Sequence, residues 1–149
     1  MILLVHMLVG ALIGQKTSGL FLAIILAFLS HYFLDLFPHI EYSIKNIKGG
    51  LWRKSILDFI KIFLDFLAGL ILIFFLSKNY LINYACAFFA ILPDGLTVLS
   101  YLMPNKILNR HDFFHRKQVH FLKYKKISVF WRISYQAIVI ISTVFLFLI

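Results

Sequence analysis

Three features of the 149-residue sequence point to an all-α integral membrane bundle of about five transmembrane helices, the first one short. The chain is 62% hydrophobic, with a mean hydropathy of +0.91. No soluble core of this size needs so much apolar surface. The apolar residues fall in five runs. The connections between them alternate between rich and poor in Lys and Arg, as a polytopic membrane protein requires. No repeat or interdomain linker interrupts the pattern, so 1–149 reads as one membrane-embedded helical domain.

The runs cover about 2–13, 20–37, 51–76, 80–103 and 127–149. A crossing needs about 20 residues, so the first is short. Residues 15–19, Lys78–Asn79 and two basic stretches connect them. Lys16 and Lys78 are the basic residues of the first and third connections. The second holds Lys45, Lys48, Arg53 and Lys54. The fourth holds Lys106, Arg110, Arg116, Lys117, Lys123, Lys125 and Lys126. Positive residues stay inside, so the N-terminus and residues 38–54 and 104–126 are expected in the cytoplasm and the C-terminus outside. The net charge of +9 would suggest nucleic acid in a soluble chain. Here the basic connections are expected to meet anionic lipid headgroups, and no nucleic-acid partner is expected. Trp131 and Arg132 read as interface anchors of the last run. Cys86 has no second cysteine to pair with. The N-terminus lacks a basic n-region and an A-x-A-like site, so no cleaved signal peptide is expected.

Residues 30–39 read S-H-Y-F-L-D-L-F-P-H. They close an apolar run yet carry His31, Asp35 and His39. An Asp at mid-membrane costs about 2.5–3.5 kcal/mol on insertion scales, so it survives where it pairs, lines a cavity or binds an ion. On a continuous helix these three residues lie near one stripe. An imidazole and a carboxylate one turn apart can grip one divalent ion.

The five Asp and six His all fall on the expected cytoplasmic side. His6 starts the first run. Asp58 and Asp65 share a helical face in the third, with Lys61 as a possible ionic partner. Asp94 follows Pro93 in the fourth. His111, His115 and His120 lie in the second basic stretch. Small residues accompany them: Gly10 and Gly14 follow His6, Ala68 and Gly69 follow Asp65, and Asn83, Ala87 and Ala90 precede Asp94. Such faces let membrane helices approach closely.

The expected metal ligands are therefore His6, His31, Asp35, His39 and Asp94. Asp65 is expected to bind or orient a ligand. His111 or His115 would supply the last ligand or the acid that protonates a leaving group. His120, five residues beyond His115, drifts off their helical face. Glu41 is expected in the solvated connection. Mixed imidazole and carboxylate ligands suit zinc, with manganese or iron as alternatives. The bland alternatives are a His31–Asp35 pair that fastens helices and an Asp94 that caps a helix broken at Pro93. No Gly-rich phosphate loop and no nucleophile elbow is present.

His6, the 30–39 stretch, L-P-D at 92–94 and H-D-F-F-H-R at 111–116 resemble the predicted membrane-bound metal-dependent hydrolase family of bacterial inner membranes. His31-x-x-x-Asp35 is also similar to the metal-binding pair of the zinc-dependent phospholipase C family. The resemblance implies a multi-pass inner (plasma) membrane protein that hydrolyses its substrate with a divalent metal. A lipid phosphoester or another amphiphile suits the location and charge. A metal-ion or proton transporter and a structural membrane protein are the alternatives.

Overall fold

The computed structural model describes every residue except Asn79, and the side chains of all the others except Trp52, Lys123 and Tyr124. The Lys78–Asn79 connector and the basic side chain of Lys123 thus fall partly outside the described residues. Seven α-helices are described: α1 (Leu3–Lys16), α2 (Leu20–Asp35), α3 (Lys45–Lys48), α4 (Trp52–Leu76), α5 (Leu81–Leu102), α6 (Lys106–Phe114) and α7 (Val129–Leu148). A π turn (His115–Val119) and a 3₁₀ turn (Phe121–Tyr124) follow α6. No strand occurs among the described residues. The all-α expectation holds, and each of the five apolar runs forms a helix.

Length separates these helices. Residues Arg53–Leu76, Leu81–Leu102 and Val129–Leu148 are long and apolar enough to cross a membrane, with mean hydropathy of 2.5, 1.6 and 1.6. At 1.5 Å per residue, α1 spans about 21 Å and α2 about 24 Å. Both fall short of a hydrocarbon core of about 30 Å. Three of the expected five crossings therefore meet the requirement by length and composition, and the second run is short as well as the first.

The centre of the bundle is α1, which packs against α2, α4, α5 and α7. Val5, His6, Met7, Leu8, Gly10, Ala11 and Gly14 are buried along it. Its sequence is apolar nearly all round, which suits a helix enclosed on all sides. The outer helices are one-sided. Met7, Leu8, Ala11, Ile73, Ala87 and Phe147 form a core inside them. Phe63, Phe75, Ile141 and Phe145 face outward and are 60–76% exposed. A surface of that kind is tolerated in lipid and not in water.

Glycine sets the closest contact. A Cβ on Gly10 would stand 2.6 Å from Ala90 Cβ and 2.7 Å from Cys86 O. Only a residue without a side chain lets α1 lie this close to α5.

Two local features shape the functional end. The second helix stops at Asp35, three residues before Pro38, whose ring disfavours helical backbone at the position ahead of it. His39 is therefore not on the helix of His31 and Asp35, as the spacing suggests. It sits in the connection and folds back. Second, α5 runs unbroken through Pro93. Asp94 is not a cap at a helix break. Pro93 lacks the N–H that would bond Phe89 one turn back. Asn105 caps α6, its Oδ1 accepting from the N–H groups of Ile107 and Leu108.

Candidate metal centre

Asp35 is the hub of a buried cluster. Its Oδ2 lies 2.9 Å from His120 Nε2, 3.2 Å from His31 Nε2 and 3.3 Å from His115 Nε2. Its Oδ1 lies 3.2 Å from His6 Nε2 and 3.7 Å from His39 Nε2, with the Met1 nitrogen at 2.8 Å. Asp94 Oδ1 is 3.7 Å from His31 Nε2, and its side chain is 28% exposed. Three helices, the connection after α2 and the π turn thus contribute to one cluster.

The outer nitrogens of the rings fix where the protons are. A carbonyl or carboxylate oxygen only accepts, so its ring partner donates. His31 Nδ1–H donates to Ala90 O at 2.7 Å. His39 Nδ1–H donates to Phe37 O at 2.7 Å. His120 Nδ1–H donates to Glu41 Oε1. His115 Nδ1 is 3.1 Å from Thr97 Oγ1, which can accept in the same way. Where such a ring is neutral its lone pair is on Nε2; the Nε2 atoms of His39 and His120 also lie at hydrogen-bond distance from carboxylate oxygens.

Those Nε2 atoms face one another and Asp35. His31 Nε2 and His115 Nε2 are 3.0 Å apart, and His115 Nε2 and His120 Nε2 are 3.2 Å apart. Lone pairs at such distances repel unless a proton or a cation lies between them. Outer nitrogens tied to oxygen, with inner nitrogens turned toward a shared carboxylate, are the arrangement by which proteins orient metal-binding imidazoles. Two sets of side chains bring one potential ligand atom each to within 4.8 Å of one another. They are His31, Asp35, Asp94 and His115, and Asp35, His39 and His120.

His6 adds a second indication. It is fully buried, and its ring stacks on His31 with centroids 4.0 Å apart. Neither ring nitrogen has a hydrogen-bond partner among the described residues. Nε2 approaches Asp35 Oδ1 but off the hydrogen-bond direction. An unsatisfied polar group at this depth costs about 1–3 kcal/mol. A cation in the cluster would give that nitrogen a partner. The donor set could therefore hold a metal ion.

In the connections, burial and the neighbouring carboxylates pull the titratable groups in different directions. Burial disfavours a charged His120, but the carboxylates of Asp35 and Glu41 outweigh it and push its pKa up to about 9. Burial also opposes a charged Glu41, yet the hydrogen bonds from His120 and His39 hold its carboxyl well below the usual range. Burial keeps His115 below its ordinary value against the pull of Asp35. Burial and the neighbouring His115 do the same to His111.

The other expected site residues lie elsewhere. His111 Nε2 meets Tyr32 Oη at 3.0 Å, and its ring stacks beside His115 at 5.7 Å. It borders the cluster and belongs to neither ligand set. Asp65 accepts from the Leu4 N–H at 3.0 Å and bonds Tyr42. It seals α4 to α1, apart from the hub. Asp58 accepts from Asn46 Nδ2 at 3.1 Å and ties α3 to α4. Asp112 is held by Arg116 and Tyr101.

Two members of the cluster run against expectation. Glu41 is not solvated. Its side chain is 23% exposed and touches both His39 Nε2, at 3.0 Å, and His120 Nδ1. His120 does not drift away. The π turn closes a hydrogen bond from His120 N to His115 O at 3.2 Å, so residues five apart return to one face. An α-helical wheel places them apart, and π turns have no sequence signature of their own. Glu41→Gln, which leaves the shape but weakens the acceptor behind His120, is expected to lower metal affinity about 10–100-fold. Competition with a chromophoric chelator measures it.

No protein-family model, no curated protein and no solved structure matches the chain.

Proposed function

We propose that this chain is a metal-dependent hydrolase of the bacterial inner membrane that cleaves a lipid phosphoester, or a related anionic amphiphile, at the cytoplasmic face. The observation that carries the reading is the convergence of anchored imidazoles on Asp35 at the wall of a cavity. That cavity measures about 790 Å³. Its lining includes the polar side chains of Asp94, Thr97, His115, His39, Glu41 and His120. The apolar Ile44, Phe59, Ile62 and Val98 and the basic Lys45, Lys48, Arg116 and Arg132 also line it. An apolar wall beside cations and ligand atoms is a shape for a molecule with a chain and an anionic head.

In this reading α1 and α2 are embedded with the three longer helices. The N-terminus is cytoplasmic, the C-terminus is outside, and the basic connections lie at the inner headgroups. His31, Asp35, Asp94 and His115 hold the ion, with His6 turned toward it. The bound ion, with zinc preferred over manganese or iron, supplies Lewis acidity and lowers the pKa of water toward about 7. The basic residues at the cavity draw in the anionic head, and the Ile and Phe wall accepts the chain. His111, beside His115 and bonded to Tyr32, is placed to deliver a proton to a leaving group.

A transporter would need polar stations through the bilayer. The Asp and His residues instead gather at one end. The test uses the protein in lipid nanodiscs with zinc or manganese, offered phospholipids and a chromogenic phosphodiester. Release of product that a chelator stops and metal restores is the expected outcome. Metal-loaded protein that turns over neither substrate, but passes ions across liposomes, would overturn the hydrolase reading in favour of transport.

A further inference from the structure

The cluster holds more donors than one ion uses. His31, His39, His115 and His120 each turn Nε2 toward Asp35, and Asp94 and Glu41 stand beside them. With Asp35 that makes seven side chains. A structural or catalytic zinc takes about four ligands.

The surplus is organised. The set of His31, Asp35, Asp94 and His115 is complete for one ion without any help from the connection after α2. The remaining donors form a second set, Asp35, His39 and His120. Asp35 belongs to both. Its Oδ2 lies within 3.3 Å of His31, His115 and His120 and so touches both sets, while Oδ1 faces His39 at 3.7 Å.

The second set is built around carboxylates of its own. His39 spends its Nδ1–H on Phe37 O. Its Nε2 then points at two carboxylates, 3.0 Å from Glu41 Oε1 and 3.7 Å from Asp35 Oδ1. Glu41 also anchors His120 from behind, the carboxylate–imidazole arrangement that orients metal ligands.

We propose that the centre takes two divalent cations that share Asp35, one on His31, Asp94 and His115 and the other on His39 and His120 beside Glu41. The proposal rests on the metal-centre reading above and adds a second ion to it. It also narrows the substrate class. Two neighbouring ions suit in-line displacement at phosphorus, where one stabilises the attacking oxygen and the other the leaving oxygen. A phosphoester thus fits better than a carboxylic ester or an amide.

Metal counting on the intact protein in detergent or nanodiscs tests this. After saturation with zinc and removal of loose metal, wild type is expected to hold two ions per chain by elemental analysis. The double variant His39→Ala/His120→Ala is expected to hold one. Manganese-loaded wild type is expected to give the exchange-coupled spectrum of a spin pair in electron paramagnetic resonance, and this readout depends on no variant folding. One ion in wild type, with the spectrum of isolated manganese, overturns the pair while leaving the one-metal hydrolase standing. Two ions retained by the double variant overturn the placement of the second site. A chain that binds no metal removes both proposals together.

Discussion

Asp35→Ala is expected to leave membrane insertion intact and to abolish metal retention. The carboxylate lies within 3.7 Å of five imidazole nitrogens, so its loss removes the group shared by every ligand around it. Changes to outer partners alone cost about 10–100-fold in affinity. Loss of the shared ligand is expected to exceed about 100-fold. Insertion is not expected to suffer, because replacing a buried Asp by Ala relieves about 2.5–3.5 kcal/mol of insertion cost. His31→Ala is expected to behave alike, since it removes the ring that joins Asp35 to α5 through Ala90 O. Elemental analysis after purification gives the metal content, and alkaline extraction of membranes gives the insertion. Unchanged metal content in both variants would defeat the ligand assignment.

Gly10→Val acts without touching a ligand. The first carbon it adds meets Ala90 Cβ at 2.6 Å and Cys86 O at 2.7 Å. The Cys86 oxygen belongs to helix backbone and cannot swing aside. Overpacking of this kind costs about 1–3 kcal/mol, and relief requires α1 to move away from α5. Each helix carries part of the centre. His6 lies one turn from Gly10 on α1, and Ala90, which orients His31, lies one turn before Asp94 on α5. The variant is therefore expected to unfold at lower temperature in detergent and to bind zinc more weakly, with every ligand still present. Thermal unfolding with and without zinc measures both. A variant with wild-type melting and wild-type affinity would show that the α1–α5 contact does not position the site.

Some of this arrangement is written in local pattern. The lengths of the apolar runs give five helices whose ends lie within a few residues of those expected. His31 and Asp35 meet because four residues span one helical turn. Gly10 and Ala90 sit on narrow stripes that foretell close packing. Other parts have no local signal. His39 leaves its expected stripe because the helix ends at Asp35, ahead of Pro38. His120 joins the cluster through a π turn that no periodicity announces. Glu41 looks like an ordinary loop acid until the connection folds it against His39 and His120. Asp65 shares its stripe with small residues, as the ligands do, but its partners prove to be Leu4 and Tyr42.

The sequence alone determined the helices and their apolar character. Hydrophobicity and helical period act over a few residues, so they can be read from neighbours along the chain. It also announced that its Asp and His residues gather at one end, since charge in hydrocarbon is costly wherever it falls. Only the tertiary structure decided which of those groups lie close enough to share an ion. Ligation depends on distances of about 3 Å between residues up to 85 positions apart, as with Asp35 and His120. Such distances follow from how closely helices pack and where turns break their period.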